Sequence, residues 1–160
     1  MKMSRRVLLG AVALFCAASA VADEIVGKVT KVHDGDTVWV VEGSERHKVR
    51  LDRIDAPESD QAFGKKSCEM LREKILDKTV RVAFTKRDRY GRILGIVYDG
   101  TNDVNLAMVR EGGAWHYAYF DKSPEYIQAE QDARREKRGL WQEREPVNPS
   151  DFRRNKRTRK

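Results

Sequence analysis

Arg50-Leu51-Asp52-Arg53-Ile54-Asp55-Ala56-Pro57-Glu58 places a guanidinium and two forward carboxylates where a half-buried strand runs into a proline turn. Val49 and Leu51 alternate with Arg50 and Asp52, the period of a strand with one face covered. Pro57 has no N–H to give to a ladder, so the strand stops before it. Asp55 and Glu58 then stand three residues apart at the mouth of a stiffened turn. Two hard anionic oxygens held in this way can take a hard cation and position a water. The same Asp-x-Pro-Glu pattern also begins many helices, and the segment alone leaves both readings open.

The flanking sequence supplies the partners of that strand. Residues Glu24–Val32 alternate apolar and polar side chains, and Thr37–Val41 is rich in β-branched residues. Between them His33-Asp34-Gly35-Asp36 carries the Asp-Gly signal of a hairpin turn, with Asp34 read as a turn former. Arg46–Asp52 is the third predicted strand, and Thr79–Thr85 and Arg92–Asp99 are the fourth and fifth. A helix capped by Ser59 or Asp60 is expected to run to about Leu76. A second is expected over Val104–Glu111, stopped by Gly112-Gly113, and a third from Ser123-Pro124-Glu125 to Arg138-Gly139. This pattern predicts an α+β fold: a five-stranded OB-type Greek-key β-barrel with three α-helices.

Three regions are expected along the chain: 1–22 a leader, 23–142 the barrel domain, and 143–160 a basic, disordered tail. Lys2, Arg5 and Arg6 precede the short apolar run Val7–Phe15, then Ala18-Ser19-Ala20-Val21-Ala22. This is the pattern of a signal peptide cleaved after Ala22 or Ala20. Ser4-Arg5-Arg6 also has a twin-arginine look. Phe15 before Cys16 argues against a lipoprotein site. The expected destination is the periplasm or the exterior, with no stable membrane association after cleavage and a monomeric product. Without the leader only Cys68 remains, so no internal disulfide is available and the fold must stand on its core. In its helical pattern Cys68 reads as a small packed residue. His33, His47 and His116 have no metal-like spacing.

The formal charge of +7 falls to +4 when the leader's three basic residues are removed. Setting aside the six Lys and Arg of the last nine residues leaves −2 for the body. The high pI therefore describes the tail, whose expected contribution is non-specific attraction to polyanions. Inside the body the local cluster is Lys86-Arg87-Asp88-Arg89-Tyr90-Gly91-Arg92.

Strand order brings Asp36, Arg50, Asp55, Glu58 and Arg92 toward one rim. Two carboxylates can hold Ca²⁺ or Mg²⁺ with backbone and water oxygens, and a third can orient or deprotonate a water. Two arginines can grip phosphate oxygens and oppose the charge of a five-coordinate transition state. These are the parts needed to hydrolyse a phosphodiester. Tyr90 is a candidate to stack on a base or ribose, or to pack.

His33-Asp34-Gly35-Asp36-Thr37, Arg50-Leu51-(x)₃-Asp55-Ala56-Pro57-Glu58 and Asp88-Arg89-Tyr90-Gly91-Arg92, in this order, resemble the thermonuclease (staphylococcal nuclease-like) family. Val104-Asn105-Leu106, Gly113-Ala114-Trp115 and Gly139-Leu140-Trp141 are similar to its helical half, and the likeness spans roughly Val26–Trp141. The resemblance implies Asp36, Asp55 and the Ala56 carbonyl as Ca²⁺ ligands, with Mg²⁺ or Mn²⁺ as possible substitutes. It implies Glu58 on the attacking water and Arg50 and Arg92 on the phosphate. The implied activity is 5′ P–O cleavage of single-stranded or denatured DNA and RNA, leaving 3′-phosphates. Tyr117 and Tyr119 stand, with Tyr90, as the substrate-binding candidates. Ala56 replaces a threonine of the family pattern, the loop after Glu58 is shorter, and Tyr117, Tyr119 and Phe120 do not align cleanly. The competing expectation is a catalytically inactive OB-fold module that binds nucleic acid or protein.

Overall fold

The computed structural model describes residues 23–158. The expected leader over 1–22 lies outside the described residues. The elements are β1 (Asp23–Val32), β2 (Thr37–Glu42), β3 (Glu45–Leu51), a short β4 (Ile54–Asp55), α1 (Gly64–Ile75), β5 (Thr79–Arg87) and β6 (Ile93–Asp99). They continue with short β7 (Asn102–Asp103), α2 (Val104–Arg110), short β8 (Trp115–His116), α3 (Pro124–Arg135), a 3₁₀ turn (Gly139–Gln142) and α4 (Pro149–Thr158).

The five long strands lie in the order β3-β2-β1-β5-β6, and a parallel pairing of β3 with β6 closes the barrel. Closure works because β1 changes partner along its length. Asp23–Lys28 pairs with β5, and Lys28–Val32 pairs with β2. At the corner the strands press together, and a Cβ on Gly27 would run into the Val41 carbonyl. This is the expected OB-type barrel, with four α-helices among the described residues in place of three.

Its interior is β-branched. Val29, Val38, Val40, Val49, Leu51, Val82, Ile93 and Val97 are buried, and Leu71, Ile75, Val104, Met108 and Tyr126 continue the same cluster into the helices. A second cluster of Ala133, Leu140 and Trp141 receives Phe63 and Trp115. Trp141 is therefore core, whereas Trp39 is half-buried beneath the Arg46 guanidinium. Cys68 packs against the main cluster, and burial pushes its thiol upward. Among the described residues no helix is long and apolar enough to cross a membrane.

Three helix boundaries differ from expectation. Helix α1 starts at Gly64, not at Ser59 or Asp60. The chain after Glu58 first turns back on itself, with Gln61 N–H on the Glu58 carbonyl and Gly64 N–H on the Gln61 carbonyl. A Cβ at Gly64 would strike the Glu58 carbonyl, so a glycine is required where the helix begins. Helix α3 stops at Arg135 because Lys137 and Gly139 both take positive φ, which unwinds the chain before the predicted end. Most consequentially, the tail expected to be disordered forms α4 over Pro149–Thr158.

The barrel and helical half are joined by Asn105, which is fully buried. Its Oδ1 accepts from Val97 N–H, and its Nδ2 donates to the carbonyls of Asp52 and Gly95. Asn105→Ala takes a partner from the Val97 N–H and the Asp52 carbonyl, while the Gly95 carbonyl keeps the Asp52 N–H; a buried group left unpaired is costly. The expected loss is about 3 kcal/mol, read as a lower urea midpoint with an unchanged slope.

Candidate active site

The site is built at the end of the barrel where β2 begins and β3 ends. Asp36 immediately precedes β2, its carbonyl accepts the Leu51 N–H at 2.7 Å, and Thr37 is registered opposite Arg50. After Leu51 the chain breaks, with Arg53 at φ 66°, and restarts as β4 against β8. That second, separate ladder fixes Asp55 opposite Trp115 and presents Pro57 and Glu58 beyond it.

Arg50 is the centre of this arrangement. Its Nη1 lies 3.1 Å from Asp36 Oδ2, and its Nη2 donates to Asp55 Oδ1 at 2.9 Å. Nη1 also donates to the Ile54 carbonyl at 3.1 Å. Asp36 is held from other sides as well. The Thr37 hydroxyl donates to its Oδ1 and the Ala56 N–H to its Oδ2, each at 2.9 Å. Asp34 Oδ1 accepts the Asp36 N–H, which confirms Asp34 as the former of the turn.

Negative charge is crowded here beyond what Arg50 balances. Burial, followed by the neighbouring Asp36 carboxylate, pushes Asp34 up to about 7. Burial also raises Asp55, against the opposing pull of Arg153 and Arg50. The same carboxylates hold Arg50 above its ordinary value, outweighing the burial that works against its charge.

A cavity of about 350 Å³ opens over these groups. Asp36, Arg50, Glu58 and Arg92 line it together with Tyr90 and Tyr117. Asp55 is covered, at 2% exposed, and is bonded to two of the lining arginines. Arg92 is presented by the turn between β5 and β6, where Asp88 fixes it through both its backbone N–H and its Nε, the latter at 2.7 Å. Hydrogen bonds from Arg92 and Tyr90 outweigh burial and hold Asp88 low. The exposed Tyr90 ring lies near Arg89 and Arg92. Tyr119 is not brought to the cavity: its ring is 81% exposed and meets Phe120 edge-on.

The donor set suits a hard divalent cation, being made of carboxylate oxygens with an excess of negative charge. Among the described residues no three His, Cys, Asp or Glu side chains are grouped to hold an ion by themselves. Asp36 and Asp55 would therefore share it with backbone and water oxygens. Of Ala56, the contact formed is its amide on Asp36, and the residue also lines the cavity.

Sequence reasoning missed Arg153. From α4 its Nη1 donates to Glu58 Oε1 at 2.7 Å and its Nη2 to Asp55 Oδ2 at 2.8 Å. A signal for it was present in Asn148-Pro149-Ser150-Asp151. Asn148 Oδ1 accepts from Ser150, a proline occupies the first helical position and an acid follows in the first turn.

Truncating Arg50 leaves two buried carboxylates short of their shared counter-charge, the costly way to break a buried pair. Arg50→Ala is expected to lower stability by about 3 kcal/mol, seen as a lower melting temperature that a surface variant such as Arg154→Ala does not show.

Residues 48–143 match the family described as Staphylococcal nuclease homologue. A protein of Escherichia coli named as an uncharacterized endonuclease is 45% identical, the match covering 79% of this chain and 83% of that protein. Another of that name in Haemophilus influenzae is 41% identical over 95% of this chain and 87% of its own length. A protein of Shigella flexneri named Micrococcal nuclease is 37% identical, covering 93% and 91%. With the barrel, the helical half and the clustered charged residues in agreement with these matches, the chain belongs to the staphylococcal nuclease homologue family.

Proposed function

We propose that this nuclease hydrolyses phosphodiester bonds of DNA and RNA at the Asp36–Arg50–Asp55–Glu58–Arg92 site, with Ca²⁺ as its cation. The observation that carries the reading is convergence. Residues from the β1–β2 turn, the end of β3, the turn after β4 and the β5–β6 turn meet around one cavity. Asp36 and Asp55 are the residues that would hold the ion, which when bound supplies positive charge beside a phosphate oxygen. Glu58 takes the proton of the attacking water: it lines the cavity and does not contact Arg50, whereas Asp34, the other lining carboxylate free of Arg50, is engaged by the Asp36 amide. Arg50 and Arg92 both line the cavity and oppose the charge that builds on the phosphoryl oxygens.

The charge distribution favours a polyanion at this place. Arg50, Arg89, Arg92, Arg153 and Arg157 all line the cavity. A neighbouring cavity of about 320 Å³ is lined by Arg53, Lys86, Leu94, Tyr117 and Phe120 and continues past Tyr90 and Arg92. Its mixture of cations and aromatic faces suits the backbone and an unstacked base of a single strand, in keeping with denatured DNA and RNA as substrates. Cleavage at the 5′ P–O bond, export through the leader, and action in the periplasm or outside the cell belong to the same proposal.

The purified protein is expected to degrade heat-denatured DNA in Ca²⁺ and to stop when a chelator is added. Glu58→Gln and Arg92→Ala should each lower turnover by roughly a hundredfold or more while oligonucleotide binding falls much less. Intact substrate after long incubation across Ca²⁺, Mg²⁺ and Mn²⁺ would leave the binding module as the better description.

A further inference from the structure

Helix α4 places a guanidinium on the oxygens that the proposed function gives to the cation and to the water. Every carboxylate oxygen of Asp36 and Asp55 is engaged. Asp36 Oδ1 takes Thr37, Asp36 Oδ2 takes Ala56 and Arg50, and Asp55 Oδ1 takes Arg50 and, at 3.2 Å, Arg153. Among the described residues the hydrogen-bond partner of Asp55 Oδ2 is Arg153. The same guanidinium spans to Glu58. Asp55 is thus covered, while the side chain that covers it is 31% exposed.

The helix is docked by few attachments. Lys156 pairs with Asp60, Gln61 Nε2 donates to the Val147 carbonyl at 2.6 Å, and Phe152 and Val147 face Pro57, Phe63 and Trp115 across a shared cavity. Helices as short as its ten residues are marginal by themselves, so these contacts and the Arg153 ion pairs decide whether it stays folded in place. Segments of this kind open at low cost.

We infer that α4 is a built-in competitor for the divalent cation: Arg153 on Asp55 and Glu58 opposes the ion through like charge, and its displacement from Asp55 favours the ion. The inference rests on the proposed role of Asp55 as a ligand. A guanidinium and a divalent cation draw on the same anionic charge, and with Arg153 Nη2 2.8 Å from Asp55 Oδ2 the two positive groups repel each other at close range. Apparent ion affinity is then lower with α4 docked than with it undocked. Coupling is reciprocal, so ion binding loosens α4 by the factor by which α4 weakens ion binding. The freed helix carries Arg153, Arg154, Lys156 and Arg157 toward solvent beside the cavity.

Calorimetric titration with Ca²⁺ and hydrogen exchange of the amides from Phe152 to Thr158 test this directly, without reference to turnover. Arg153→Ala is expected to bind Ca²⁺ at least tenfold more tightly than the parent protein, and Ca²⁺ should accelerate exchange in α4 of the parent. Lys156→Ala, which touches neither carboxylate, should shift affinity in the same direction by less. Arg154→Ala should not shift it, since its partner Asp151 lies on the same helix. Equal Ca²⁺ affinity in parent and Arg153→Ala, with α4 exchange unmoved by the ion, overturns the inference and leaves the cation site standing. Absence of Ca²⁺ binding in every variant overturns the cation site, and the competition with it.

Discussion

The arrangement of the site depends on one ion-pair bridge: Arg50, anchored on the strand that closes the barrel, reaching Asp36 on one side and Asp55 on the other. Burial, with the neighbouring Asp36 carboxylate adding to it, pushes Asp55 toward its protonated form. A guanidinium between them offsets part of that cost and imposes geometry, because its planar fork offers donors in fixed directions. The bridge also joins pieces of chain that no regular ladder connects. Asp36 belongs to the first hairpin, and Asp55 belongs to the small β4–β8 pairing that ties the barrel to its helices.

Arg50 does not complete the balance. Asp34 and Asp55 remain pushed toward their protonated forms after its contribution. The grouped carboxylates of Asp34, Asp36, Asp55 and Glu58 are what a polyanion-cleaving site would need to bind a cation, and they also attract any other positive group within reach. The formal charge of the body, −2, and that of the last nine residues, +6, are therefore not independent features of the chain. Part of the basic segment lies on part of the acidic surplus, through Arg153 on Asp55 and Glu58 and Lys156 on Asp60.

The barrel was legible because its strands obey the period-2 pattern and its turns carry Asp-Gly, Glu-Gly and Tyr-Gly signals. Gly27 shows the limit of that legibility. Nothing in its neighbours marks the point where β1 exchanges one partner for another, which is set by the close approach of Val41. Asp36, Arg50, Glu58 and Arg92 could be placed on one rim from strand order alone. That Asp55 would be covered, and that Asp88 would hold Arg92, depended on side-chain contacts with no sequence period. Tyr119 shows another limit. It stood among the substrate-binding candidates, and only the structure shows that the turn after β8 leaves its ring exposed and outside the cavity.

The tail was misread for a physical reason. Two prolines and a run of like charge are the composition of a segment that cannot bury enough apolar surface to fold. That argument treats the segment as isolated. Here folding of α4 is driven by contact with the body: one aromatic, Phe152, over an apolar recess, and cations over acids that already lacked counter-charge. The helix cap at Asn148 needs no tertiary partner, so local sequence specifies where the helix starts. The charge of the site specifies whether it forms. Order in α4 is thus tied to Asp55 and Glu58, and if a cation takes those oxygens, as proposed, the conformation of the tail and the occupancy of the site become two aspects of one electrostatic equilibrium.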